Sequence, residues 1–360
     1  MKKLALNVAI LAGVASMATH AVADETLNVV SWGGAYTASQ TKAYHEPWTE
    51  KTGTKVINID KSQNGLSGLR AQVESGNVTW DLVDILPSDA IVACDEGLAE
   101  PLDHDTLLAA APDGTPATKD FLAGSLSECF VPSIVYSNIV AYNKEMFDKA
   151  PTKIDDVFDL KNFPGKRSLQ KKPINNLEWA LIADGVAAED VYDVLSTEEG
   201  VQRAFKKLDT IKDNVIWWEE GAQPPQLLAD KEVAFASAYN GRIFNAAVNE
   251  KQPFEIIWDG QVFELDGWVV PKGKLDKVKD YLRFATDSQR LADQAKYISY
   301  GPARNSSAAM VTTHAETGID MKPHMPTYGP NFKTAIPKDD EFWADNGDEL
   351  AQRFNAWLAK

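Results

Sequence analysis

The chain has 360 residues, with 36 basic and 52 acidic side chains and a net charge of −16. A nucleic-acid binder needs a basic surface for phosphates, so this balance excludes that class; it suits a cationic ligand, and equally any soluble exported protein. The length points to two domains.

The first residues read as a cleavable leader. "MKK" supplies positive charge, "LALNVAILAGVASM" is a short apolar core, and "AVA" ending at Ala23 fits small-x-small cleavage. As a membrane anchor the run is too short, and Asn7 interrupts it. No Cys follows it to carry a lipid. A soluble mature chain is expected from near Asp24, and loss of Lys2 and Lys3 takes its net charge from −16 to −18.

Strands and helices then alternate. "ETLNVVSW" is a strand, "ASQTKAYHEPWTEKTG" a helix closed by Gly53, and "TKVINID" the next strand. "LSGLRAQVESG" is a helix ending at Gly76, and "WDLVDILP" a third strand. This βαβαβ rhythm predicts a parallel sheet with covering helices, which binds ligands at the carboxyl ends of its strands. Trp32, the "DKSQNG" turn and Ser88 fall at such ends. Cys94 and Cys129 come next. In the oxidising compartment implied by the leader they predict one disulfide, worth about 3–4 kcal/mol, in preference to two buried thiols. Neither has a second Cys or His at metal-ligand spacing.

"SIVYSNIVAYN" is a long apolar strand able to cross between lobes. "LEWALIADG" and "EEGVQRAFKKLDTIKD" are amphipathic helices, followed by the strand "NVIWW", the helix "PPQLLADKE", the strand "VAFASAYN" and the helix "GRIFNAAVNEK". "FEIIWDGQVFELDGWVVPKG" reads as two strands joined by a turn at Asp259-Gly260. "KLDKVKDYLRFATDSQRLADQAKYI" is helical, and "EFWADNGDELAQRFNAWLAK" is a closing amphipathic helix. With no repeat and no long linker, the chain is expected to cross between two lobes more than once and to leave a cleft.

Enzyme signatures are absent: there is no phosphate loop, no GxGxxG after a strand, no GxSxG elbow and no HExxH. Beyond the leader only His45, His104, His314 and His324 remain, and the last two read as exposed loop residues. Acids are so numerous that any glycosidase-like pair carries little weight. No catalysis and no cofactor are expected. Aromatic residues at strand ends stand out instead. Trp32, Tyr36, Trp217, Trp218, Tyr239, Trp258, Trp268 and Tyr300 mostly lie beside glycine, asparagine or an acid. Singly, such residues fill cores, and Trp217 and Trp258 are assigned there. As a set they suggest a box around a flat or cationic ligand, with Asp266 as counter-charge.

Six segments in this order, "SWGGAY", "WDLVDILPSD", "VPSIVYSNIVAYN", "AYNGR", "LDGWVVPKG" and "SYGPARN", resemble the periplasmic spermidine/putrescine-binding proteins of ABC importers over nearly the whole mature chain. The resemblance implies an α/β two-lobed periplasmic binding protein fold of type II with a hinge of crossing strands. It places 24–137 plus 267–305 in lobe 1 and 138–266 plus 306–360 in lobe 2. It also implies a monomer that captures putrescine or spermidine in the cleft and delivers it to a cognate inner-membrane permease. By position, Trp32 and Tyr36 match aromatics after the first strand, Ser88 a small polar residue, Asp266 an ammonium-binding acid and Tyr300 a late aromatic. Tyr239 stands where Trp is usual, and Glu178 lies close to another family acid. Trp218 and Trp268 join the candidates from the aromatic pattern alone.

One departure matters. Arg242, in "YNGR", stands where putrescine-type members carry a neutral or acidic residue. Facing the cleft it would repel a second ammonium and suit a carboxylate, giving a site for an ω-amino acid such as GABA with Asp266 on the amine. Facing water it would only begin a surface helix. Two other classes stay open: a ferric-iron carrier, for which Tyr297 and Tyr300 are the one close late pair, and a secreted hydrolase.

Overall fold

Two long strands organise the chain. The computed structural model describes residues 26–360; the leader (1–23) and the expected start at Asp24 lie outside the described residues. Strands β1 (Thr26–Ser31), β2 (Lys55–Asp60) and β3 (Leu82–Ile85) are joined through helices α1 (Gly34–Gln40), α2 (Glu46–Thr52) and α3 (Gly65–Ser75). A π-helical turn, Thr41–His45, links α1 to α2. β1 pairs in parallel with both β2 and β3, as the βαβαβ rhythm predicts. Helix α4 (Pro87–Asp95) carries Cys94, which is bonded to Cys129 with a Cα–Cα distance of 5.7 Å.

Strand β4 (Phe130–Asn143) follows and is buried along its length except at the half-buried Tyr136. A continuous apolar run of this kind belongs to a strand covered on both faces. The second lobe is built from β5 (Arg167–Gln170), α5 (Asn176–Ala183), α6 (Glu198–Asp209), β6 (Val215–Trp218), α7 (Gln223–Ala229), β7 (Phe235–Tyr239) and α8 (Asn240–Val248). The chain then returns through β8 (Phe254–Val269) to α9 (Leu275–Ala285), α10 (Ser288–Gln294) and β9 (Gly301–Pro302), and ends with β10 (Ile336–Pro337) and α11 (Asp340–Leu358).

One mixed sheet runs β2-β1-β3-β8-β4-β7-β5-β6, with β10 on β8 and β9 on β4. The ends of β8 and β4 near Val269 and Phe130 lie beside β3, and their other ends lie beside β7. Both strands therefore cross from one lobe to the other. Apolar side chains cover both faces in each lobe: Leu27, Val29 and Tyr281 on one face of the first and Val30, Val83 and Phe130 on the other. In the second, Tyr142 and Phe235 pack with Phe354 of α11, while Ile139 and Ile243 fill the opposite face.

Two expectations are corrected. The segment "FEIIWDGQVFELDGWV" is one 16-residue strand, not a hairpin. Residues 254–257 and 262–269 both pair with β4 in the same antiparallel sense, so the chain does not reverse. Gly260 (φ 66) absorbs the shift of register as a bulge, a left-handed conformation that glycine adopts without strain. His314 is buried rather than exposed, at 3% of its surface. Its Nδ1 accepts from the Thr317 backbone N–H, and its ring packs on Phe244, which also meets the half-buried His324.

Candidate functional site

The crossing strands bring a pair of acids together at the junction of the lobes. Asp84 sits in β3 between Val83 and Ile85, and its register partner on β8 is Trp268. Successive side chains alternate across a strand, so Asp266, two residues before Trp268, shares the face of Asp84 as its diagonal neighbour. Both acids are buried, at 0% and 4% exposure. Among the described residues neither is paired with a Lys or Arg.

Helix α1 supplies the donors. Tyr36 Oη donates to Asp84 Oδ2 at 2.9 Å, and Gln40 Nε2 donates to the same oxygen at 2.5 Å. The two are four residues apart and so share one helix face. Gln40 Oε1 accepts in turn from Ser31 Oγ at the end of β1. Asp266 Oδ1 accepts from the Gly267 backbone N–H at 3.0 Å. Burial lifts the Asp84 carboxyl to about 7, against the pull of hydrogen bonds from Asp266, Tyr36, Gln40 and Trp32. Burial lifts Asp266 further, and the nearby Asp84 charge adds to the effect. Two buried carboxyls in contact do not both ionise; one keeps a proton and donates it to the other. Trp32, half-buried, stands near enough to both to favour their ionised forms, although its buried Nε1 makes no hydrogen bond of good geometry.

From this pair a run of phenol rings leads across to the second lobe. Tyr36 lies 6.0 Å from Tyr300, Tyr300 6.1 Å from Tyr136, and Tyr136 5.9 Å from Tyr239. Ile134, Ile298 and Trp32 pack against the start of the run. Tyr300 is seated on α8, where a Cβ added at Gly241 would lie 2.5 Å from its ring. Beyond the rings stands Arg242, in the first turn of α8 and exposed. Its guanidinium lies beside Gly221 and close enough to Tyr239 and Tyr300 to favour their ionised forms. Among the described residues it forms no ion pair and no hydrogen bond. Tyr300 is near both groups: Arg242 favours its ionised form and Asp266 opposes it. A third acid, Glu264, is opposite Tyr136 but is already balanced by Lys338 Nζ at 2.7 Å and by Asn138 Nδ2 at 2.7 Å.

Of the residues singled out from sequence, the structure gathers Trp32, Tyr36, Tyr239, Asp266 and Tyr300, with Arg242 at their margin. Trp218 is buried behind Tyr239, its indole N–H given to Ser237 Oγ. Trp268 is wholly buried, edge-on to Tyr44 in the core of the first lobe. Ser88 is half-buried in the first turn of α4 and takes no part in the bonds around the acids. Glu178 is elsewhere: the face of α5 that carries it turns toward α11, where Tyr192 Oη and Trp343 Nε1 donate to it at 3.0 Å each. Burial lifts its carboxyl to about 7. Sequence reasoning missed Asp84, Gln40 and Tyr136. The available signal was an acid inside the apolar strand "LVDIL" and a tyrosine inside "SIVYSNIV". Among the described residues no group of three or more His, Cys, Asp or Glu gathers as metal ligands.

Residues 43–327 match the family of bacterial extracellular solute-binding proteins. A gamma-aminobutyric acid-binding protein of Pseudomonas aeruginosa is 39% identical over 352 residues, which is 97% of this chain and 96% of that protein. Among solved structures, a GABA receptor superposes with a TM-score of 0.77 at 32% identity, covering 93% of this chain and 98% of that one. The binding protein MotA from A. tumefaciens B6, in complex with glucopine, gives 0.77 at 29% identity, covering 92% and 99%. The spermidine/putrescine-binding PotD of Streptococcus pneumoniae, at 17% identity and a TM-score of 0.70 over 93% and 99%, shares the fold.

Proposed function

The chain belongs to the bacterial extracellular solute-binding proteins, which bind solutes and are not enzymes, and on that premise we propose that it is the periplasmic receptor of an ABC importer for a GABA-like ω-amino acid. The observation that carries this reading is the separation of charge across the phenol run. Among the described residues, an acid pair with no paired cation stands beside Tyr36 at one end, and Arg242 with no ion pair stands beside Tyr239 at the other. A diamine would bring its second ammonium toward Arg242, whereas an ω-amino acid brings a carboxylate that a guanidinium binds through two parallel hydrogen bonds. The GABA-binding relative supports this choice over the polyamine that the sequence pattern suggests. Asp266 and Asp84 take the ammonium, Tyr36, Tyr300 and Tyr136 flank the methylenes, and Arg242 turns inward onto the carboxylate as the lobes close.

Charge-assisted hydrogen bonds contribute about 1.5–3 kcal/mol each and a desolvated cation–π contact about 2. Delivery to a membrane permease and removal of the leader on export belong to the same proposal. The test is calorimetric titration of the purified protein with GABA, putrescine and spermidine. GABA is expected to bind and the two polyamines to bind at least tenfold more weakly; heat from the polyamines with none from GABA would return the protein to the polyamine carriers.

A further inference from the structure

The acids at the junction carry a second consequence, which rests on the amine-bearing ligand proposed above. We infer that Asp84 and Asp266 are a single two-carboxyl seat, which holds one shared proton and releases it to solvent when the ligand's primary ammonium enters between them. Asp84 is thereby a ligand-binding residue that the aromatic and Asp266 pattern does not reveal, and the ligand class narrows to unsubstituted ammonium groups.

The pair lies on one face of adjacent strands, both side chains are buried, and among the described residues neither has a paired cation. One oxygen of Asp84 is filled by Tyr36 and Gln40, while its Oδ1 is buried with no donor other than the neighbouring carboxyl. The contact between the acids is therefore held by a proton. An ammonium placed there donates to the same lone pairs, so the proton loses its acceptor and both acids ionise against the new cation: R–NH3⁺ plus the carboxyl–carboxylate pair becomes R–NH3⁺ between two carboxylates, with one H⁺ released. A quaternary ammonium has no N–H to replace that proton and would leave Asp84 Oδ1 unpaired in a buried place, which is heavily penalised.

The phenols and the imidazole facing the pair are held away from neutrality. Tyr36 from α1, Tyr44 from the π-helical turn, Tyr281 from α9, Tyr136 from β4 and Tyr300 are phenols held above their usual range, mainly by burial. His45, hydrogen-bonded to Tyr281 at 2.6 Å, is pushed down to about 4 by burial. Glu264, next on the same face of β8, is already paired with Lys338. GABA's own groups titrate far from pH 7.

Titration calorimetry with GABA at pH 8, above the value of Asp84 and below that of Asp266, in buffers of differing ionisation enthalpy, is expected to show about one proton released per ligand bound, with affinity rising about tenfold per pH unit between 7.5 and 8.5. Asp84→Asn is expected to abolish the release and flatten the pH dependence. The trimethylammonium analogue of GABA is expected to bind at least a hundredfold more weakly. Zero proton release by the wild type, or equal affinity for the quaternary analogue, would overturn the inference. If GABA itself fails to bind, the proposed ligand is wrong, and the seat is decided on the free protein. Infrared difference spectra between pH 6 and 9 are expected to show a carboxyl C=O band that fades in the wild type and is at most half as strong in Asp84→Asn, where Asp266 alone titrates. Its absence from the wild type would remove the shared proton.

Discussion

Replacing Asp84 by Asn should make the ligand-free protein more stable at pH 8, although the residue is buried and one of its oxygens accepts from both Tyr36 and Gln40. The Asp84 carboxyl is lifted from 3.8 to about 7, so ionising it costs about 4 kcal/mol more in the folded chain than in the unfolded one. The sign follows from proton counting: between those values the folded state keeps a proton that the unfolded state has lost, so stability falls as pH rises and the full loss is reached above 7. Asparagine keeps the shape, accepts from Tyr36 and Gln40, and donates to Asp266 as the shared proton does. Asp266 remains ionisable, so the part recovered at pH 8 is about 2–4 kcal/mol, shrinking to near zero at pH 4 where both acids are neutral. Urea denaturation of both proteins at pH 4 and pH 8 measures it directly. A variant less stable than the wild type at pH 8, or an equal difference at both pH values, would refute the reasoning. A residue kept at such a cost to stability is the mark of a functional site.

Other substitutions separate the parts. Arg242→Gln should weaken GABA by about 10–100-fold, the loss of one charge-assisted pair, while leaving the melting temperature unchanged because the side chain is exposed; calorimetry and a thermal melt test both halves. Glu178→Gln should leave ligand affinity within about twofold, since its partners are Tyr192 and Trp343; a larger loss would bring α5 back into the site. Cys94→Ser with Cys129→Ser should lower stability by about 3–4 kcal/mol, by freeing a 35-residue separation in the unfolded chain, as urea midpoints would show.

Most elements were legible from period and composition because each is locally specified. The apolar run of β4 announces a strand buried on both faces, and the left-handed Gly53 and Gly76 mark the ends of α2 and α3. β8 was misread because Asp259-Gly260 is also the signature of a hairpin, and only the common partner β4 decides between a turn and a bulge. Much of the site was legible for a similar reason: Trp32, Asp266 and Tyr300 stand beside glycines, Tyr239 ends β7, and Tyr36 and Arg242 lie in the first turn of helices that follow strands. Asp84, Gln40 and Tyr136 lie inside regular elements, and what makes them matter is register across strands separated by long stretches of chain. Glu178 shows the converse, an acid near an expected position whose helix turns it toward another partner.

Asp266 and Glu264 differ in what folding leaves unfinished. Both acids lie on the same face of β8 and both are nearly buried, Glu264 opposite Tyr136 and Asp266 near Tyr36. Glu264 is completed within the protein: Lys338, only 6% exposed, reaches it at 2.7 Å and Asp340 at 2.8 Å. Burial works against the Lys338 ammonium, yet Glu264 and Asp340 outweigh it and hold the lysine well above its usual range. Removing one partner of such a pair leaves a buried charge uncompensated, so Lys338→Met should destabilise the protein by about 3–5 kcal/mol at pH 7. Asp84→Asn, at the neighbouring acids, should do the opposite. If the two substitutions shifted the urea midpoint in the same direction, the acids would be alike, and the claim that one cation is built in while the other is left for the ligand to supply would fail. Opposite shifts would mean that two nearby acids of the same strand face have different fates, one finished by folding and one by binding.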